Sequence, residues 1–167
     1  MEAKMKRYSS QFPDPVVLVS VATTKIKNAM TVGWASPVSF EPPILMVSIA
    51  PKRFTHDLIL EAGEFGVSVL ADDQKEISTL AGTLSGSKTD KLSYSQFRTF
   101  EAKKIKAPLI GGCRAWFECK LVSHETIGDH TAFYGEVIET KVDESKSPLI
   151  LFNRQYYGLG EEKGRYP

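Results

Sequence analysis

The chain has 167 residues, 42% hydrophobic and 25% charged, with a formal net charge of +1 and an isoelectric point near 7.7. That length and balance fit one domain over residues 1–167, with a sizeable core and a tail from about residue 149. Near-neutrality removes any global electrostatic drive toward nucleic acid or an anionic membrane, so a bound anion must be held by local geometry.

The N-terminal residues 1–7 are charged, and no apolar signal region follows them. No segment approaches the ~18 apolar residues that span a bilayer. Residues 15–23 are β-branched and nearly unbroken, which predicts a well-buried strand. Residues 25–28 form a polar turn, and a second strand begins at Asn28. Over 28–37 this strand breaks its own pattern at Gly33, Ser36 and Pro37, before Glu41, Pro42 and Pro43. It sets small hydroxyl residues, a carboxamide and the Trp34 indole along one backbone edge, with Gly33 allowing close approach. That edge suits a flat, heteroatom-rich ligand, and it equally fits an edge strand with a proline stop.

The two prolines fix an extended connection, and residues 44–50 give a third buried strand. Thr55 is placed to cap a helix over 56–62, and Gly63 to stop it. Residues 64–70 alternate as a half-buried strand. Asp72 and Asp73 then cap a second short helix through Leu80. Residues 82–95 carry no apolar stripe and read as a loop, of a length more often functional or disordered than idle. Residues 115–124 and 131–142 read as long strands paired around Gly128, Asp129 and His130. The tail from Leu149 is aromatic and punctuated by glycines. Six or seven strands, two short helices and little βαβ alternation predict a mainly β fold, a barrel with appended helices.

Cys113 and Cys119 fall on one expected strand, roughly 20 Å apart at about 3.3 Å per residue, too far for a disulfide. They read as small core residues of a reduced, cytoplasmic protein. With His56, His124 and His130 they make no metal-ligand spacing.

No nucleophile elbow, Walker-type loop or dinucleotide-fold glycine fingerprint is present. Polar groups cluster instead at strand ends. Arg53 and Thr55 stand at a helix start, where free N–H groups and the dipole favour a phosphate; Arg53 is otherwise a solvated loop residue. Ser85, Gly86, Ser87, Lys88, Asp90 and Lys91 supply hydroxyls, N–H groups and cations, or form a flexible polar loop. Trp34 is a stacking partner or a core residue, and His130 a site residue or a turn residue.

The order of these features resembles the flavin reductase-like FMN-binding split-barrel family, and within it the flavoredoxin and archaeal ferric reductase branch. The resemblance spans about residues 15–160. It rests on Asn28, Met30, Thr31, Gly33 and Trp34 with Ser39 and Pro42-Pro43, and on Arg53-Phe54-Thr55 before a helix. It continues through Glu64–Val69, Ser85-Gly86, Asp90-Lys91, Gly128-Asp129-His130 with Gly135-Glu136-Val137, and Pro148-Leu149 leading to Tyr157, Leu159 and Gly160. The loop at Ser85 lacks the arginine-rich form of many flavin reductases, and the tail after Gly160 matches no family pattern.

The resemblance implies a split-barrel homodimer with one FMN per subunit. Asn28, Trp34, Thr55, Lys91 and His130 would lie around the isoalloxazine, with Met30, Thr31, Gly33, Ala35 and Ser36 on the same cofactor-binding edge. Arg53, Thr55, Ser85 and Gly86 would take the phosphate end. His130 and Lys91 are the implied catalytic residues: a cation near the ring would favour its anionic reduced form, and the imidazole could hydrogen-bond a ring carbonyl or a nicotinamide. The implied activity carries electrons from NADH or NADPH through FMN to flavin, a ferric chelate or another acceptor. An electron carrier serving protein partners, or a non-redox FMN-binding module, would use the same barrel. Lys52, Arg114 and Arg154 are candidate cations for the nicotinamide nucleotide.

Overall fold

The computed structural model describes residues 8–166; the charged run 1–7, where no signal region is expected, and Pro167 lie outside the described residues. The first half of the chain forms β1 (Asp14–Pro15), β2 (Val17–Ala22), β3 (Lys27–Val32), β4 (Ala35–Phe40), β5 (Pro43–Ile49), helix α1 (Phe54–Ala62) and β6 (Glu64–Val69). Helix α2 (Lys75–Thr83) and a 3-10 turn at Lys91–Ser93 follow, then β7 (Thr99–Phe100) and β8 (Leu109–Ile110). Two 13-residue strands, β9 (Ala115–Ile127) and β10 (His130–Val142), precede β11 (Ile150–Phe152) and β12 (Gln155–Tyr157).

Seven strands build the main sheet in the order β3-β2-β6-β9-β10-β5-β4, and every neighbouring pair is antiparallel. Its two edges, β3 and β4, are consecutive in sequence and joined only by Gly33 and Trp34. The sheet must therefore curl until its edges approach each other. The Trp34 carbonyl accepts a hydrogen bond from Ser48 N of β5 at 2.9 Å, which carries the β4–β5 ladder up to the turn, and no β3–β4 ladder forms among the described residues. The result is a barrel split along one seam. The broken pattern at 28–37 is that seam, and the run expected as one strand is two.

The unbroken apolar run of β2 has a simple cause. Val17, Val19 and Val21 face an inner core with Val47, Phe65 and Phe133, while Leu18 joins an outer core with Ile77, Ala81 and Trp116. A strand buried on both faces loses its alternation. Leu58 and Ile59 of α1 plug into the inner core, and α2 covers the outer one. The crossover at 101–107 is pinned by buried carboxylates: Glu118 accepts Lys103 N (2.9 Å) and Lys104 N (2.6 Å), and Glu64 accepts Lys106 N (2.6 Å) and pairs with Lys120. Burial of those charges is tolerable because each is hydrogen-bonded.

Four local expectations are corrected. Helix α1 begins at Phe54, with Arg53 in the cap position and no side-chain cap; Thr55 lies inside the helix, and its hydroxyl accepts from Asn28 instead of capping. Helix α2 is capped by neither Asp72 nor Asp73, since Gln74 holds the N-cap position while its Oε1 accepts Ala71 N. It continues past Leu80 to Thr83, so Gly82 belongs to its last turn and the loop is shorter than expected. Cys113 lies in the turn before β9, not on the strand with Cys119. Both thiols are free and buried, and burial pushes each up to about 12, which keeps them protonated core residues. Gly63 does stop α1, with φ 66 and its N–H on the Ile59 carbonyl at 2.9 Å. No helix among the described residues is long and apolar enough to cross a membrane.

Candidate functional site

Two chambers meet along the seam. The first, about 150 Å³, lies between β3, the start of α1, and the end of α2 with its following loop. The second, about 210 Å³, opens at the Gly33–Trp34 turn and the start of β10. Met30, Thr31 and Arg53 line both, so the two form one groove with Arg53 at its waist.

The first chamber is cationic and rich in hydrogen-bonding groups. Lys52 and Arg53 enter it beside the first turn of α1, where helix N–H groups lack intrahelical partners. Asn28 is only 2% exposed, and its Nδ2 donates to Thr55 Oγ1 at 2.8 Å. Its Oδ1 is buried without a partner, a strong acceptor waiting for a donor. Gly86 lies against that carboxamide: a Cβ there would stand 2.2 Å from Asn28 Oδ1. The loop can lie this low only with glycine at that position. Ser85 Oγ is hydrogen-bonded to Ser87 Oγ at 2.8 Å, which folds the loop on itself.

Lys91 lines the same chamber but is buried. Its Nζ donates to the carbonyls of Ala81 (2.8 Å) and Leu84 (2.9 Å), which are orphans of the α2 terminus. Two of its three donors are thus engaged in holding the end of α2, which explains why that helix runs on to Thr83. Burial, and then the Arg53 charge, pull its ammonium down to about 8. Thr31 ties the same helix to β3, its hydroxyl donating to the Ser78 carbonyl at 2.6 Å.

The second chamber is walled by rings. Trp34 is 37% exposed, and its indole lies 4.7 Å from the His130 imidazole, tilted by 45°. His130 Nδ1 is hydrogen-bonded to Asp129 Oδ1 at 2.7 Å, which leaves Nε2 without a partner among the described residues. The imidazole holds the Asp129 carboxyl below the usual carboxylate range, through that hydrogen bond first and its charge second.

The structure thus brings together Asn28, Met30, Thr31, Gly33, Trp34, Arg53, Thr55, Ser85, Gly86, Lys91 and His130. It does not bring in Ala35 and Ser36. Past the turn the chain has crossed to the other edge, and both residues line a separate apolar cavity of about 420 Å³ with Val17, Val67 and Phe117. Lys52 reaches the groove, whereas the Arg114 guanidinium donates to the Asp143 carbonyl at 2.6 Å and Arg154 occupies the β11–β12 turn at φ 65. Asp14 was missed by sequence reasoning. It enters the second chamber because β1 pairs with β11, a non-local contact with no local signal, and burial raises its carboxyl.

Comparison with known proteins gives a consistent result. A family model described as the flavin reductase like domain matches residues 8–160. An uncharacterized protein of Archaeoglobus fulgidus is 43% identical over 111 residues, 66% of this chain, and the match spans 63% of that relative's length. An NADH-dependent flavin reductase of Pseudomonas fluorescens is 32% identical over 133 residues, 78% of this chain and 74% of the relative. Among solved structures, an FMN-binding protein from Thermus thermophilus superposes with a TM-score of 0.82 at 30% identity, covering 93% of this chain and 91% of that one.

Proposed function

The chain belongs to the flavin reductase-like family, and from that premise we propose that it binds FMN in the seam groove and passes electrons from NADH or NADPH to a small-molecule or protein acceptor. The observation that carries this reading is the joining of one cationic chamber to one ring-walled chamber through Arg53. A single phosphate-sized cationic end suits a mononucleotide. The orphaned Asn28 Oδ1 and the glycine cradle at Gly86 fit a ligand that carries hydrogen-bond donors next to its anionic end.

FMN, when bound, supplies the hydride and electron chemistry. The residues of the chain bind, orient and shield. Arg53 and the first turn of α1 hold the phosphate. Asn28 offers its oxygen to a donor on the cofactor. Lys91 keeps the α2 terminus and the start of the following loop in place, and its charge adds to that of Arg53 at the cationic end of the groove. Trp34 limits water on one side of the groove, and His130 presents Nε2 to the polar rim of the ring or to the incoming nicotinamide. The names of the Pseudomonas fluorescens and Thermus thermophilus proteins support the same chemistry.

A homodimer belongs to this proposal. The cavity beside β4 is almost wholly apolar, and Phe40 at its rim is 99% exposed, which suits burial against a second copy. Sedimentation should give a dimer of the 18.5 kDa chain, and a monomer with FMN bound would overturn that part.

Titration with FMN, riboflavin and FAD tests the binding claim. FMN should bind tightest, and riboflavin weaker by about 1.5–3 kcal/mol, the worth of a charge-assisted phosphate contact. Equal affinity for riboflavin would remove the phosphate from the first chamber.

A further inference from the structure

His56 belongs to neither chamber, yet it connects them. It follows Thr55 in the first turn of α1, the turn that also presents Arg53 to the groove. Its ring is buried and packs edge-on against Phe133 of β10 at 5.1 Å. Nδ1 lies 2.8 Å from Asp57 Oδ1, and Nε2 lies 3.0 Å from Thr131 Oγ1. Thr131 Oγ1 is in turn 2.9 Å from Thr126 Oγ1, its partner across the β9–β10 hairpin.

With the ring neutral, one proton arrangement satisfies this whole chain. The Asp57 carboxylate only accepts, so Nδ1 carries the ring proton and Nε2 is an acceptor. Thr131 then donates to Nε2, and its oxygen accepts from Thr126. Every group in the chain is then paired, and one tautomer is selected. Thr131 is also the residue next to His130, and neighbours in a strand point to opposite faces. A bond that anchors Thr131 inward therefore sets how His130 projects outward against Trp34.

We propose that His56 is a positioning residue: through Thr131 it locks the root of β10 to helix α1, and so fixes His130 relative to Arg53. The catalytic consequence rests on the reading of the groove as the flavin site; the positioning itself does not.

The test uses the full-length protein with His56→Phe, Thr131→Val and His56→Gln. The Gln side chain can still accept the Thr131 hydroxyl. The first readout is the ring-proton resonances of His130 without added flavin, displaced by the Trp34 ring current at 4.7 Å. His56→Phe and Thr131→Val should move them toward the values of a free imidazole, and His56→Gln should restore them. If His56→Phe does not fold, Thr131→Val decides alone. Unmoved His130 resonances in folded Thr131→Val overturn the proposal. The second readout is kcat/KM for NADH with FMN bound, expected to fall about tenfold in the first two variants while FMN affinity stays within twofold. An unchanged kcat/KM alongside shifted resonances overturns the catalytic consequence. Failure of the wild-type protein to bind FMN would instead sink the flavin reading and leave the resonance test standing.

Discussion

Gly86 rests so closely on Asn28 that an added Cβ would sit 2.2 Å from the carboxamide oxygen. No pair of non-bonded heavy atoms tolerates that separation. The loop after α2 is therefore seated on β3 through a glycine, and the same carboxamide is fixed from the other side by Thr55 at 2.8 Å. Three segments far apart in sequence meet at one amide.

Gly86→Ala should push the loop off Asn28 or break its bond to Thr55. Either change opens the cationic end of the groove. FMN affinity should fall at least about tenfold, equivalent to ~1.4 kcal/mol. Fluorescence titration reads this directly, and an alanine variant binding FMN as wild type would show that the loop has no part in the site.

Arg53→Ala should weaken FMN binding by about 1.5–3 kcal/mol if the guanidinium pairs with the phosphate. Urea unfolding of the protein without flavin should move by no more than about 0.5 kcal/mol, since Arg53 is exposed. A dissociation constant equal to that of the wild type would return Arg53 to the role of a solvated loop residue.

Lys91 gives two pH effects of opposite sign. Its folded-state value of about 8 lies below the ordinary 10.5, so between those limits the unfolded chain binds more protons and stability rises with pH. Above about 9 the two buried thiols oppose this, because both are raised from 9.0 to about 12 and the unfolded chain then loses their protons first. The rise should show between about pH 8 and 9 and vanish in Lys91→Met. FMN affinity should fall over the same interval, as the groove loses a cation beside Arg53. Urea midpoints and dissociation constants measured across that interval check both signs.

Much of the lining of this groove is legible in the sequence, and the limits of legibility have physical causes. Asn28, Trp34, Arg53 and Gly86 each fit an ordinary strand, core or loop residue alone, and only the order of motifs that resembles the flavin reductase-like family draws them together. The double-sided burial of β2 was also visible as an unbroken apolar run. Helix ends were misread where a distant side chain decided them: Asn28 engages Thr55, and Lys91 extends α2 by satisfying its last carbonyls. Ala35 and Ser36 were assigned to the groove because they continue the motif, but the turn at Gly33 carries them to the opposite sheet edge. Asp14 and the His56–Thr131 contact depend on pairing across the fold, which no local pattern reports.

His130→Ala should leave FMN bound and slow reduction by nicotinamide about tenfold or more, a loss of ~1.4 kcal/mol of transition-state stabilisation. The Trp34 emission should change with it, because the two rings are in contact. A rate and spectrum matching wild type would make His130 merely the head of the Gly128-Asp129 turn.

Anaerobic mixing of the FMN-loaded protein with NADH or NADPH in a stopped-flow instrument is the most direct test of electron transfer through this groove. The yellow absorbance of the bound flavin should bleach within the time of a single turnover, and return when an oxidised flavin or ferric chelate is added. A protein that holds no flavin, or whose bound FMN stays oxidised with both nicotinamides in excess, would contradict the proposed function.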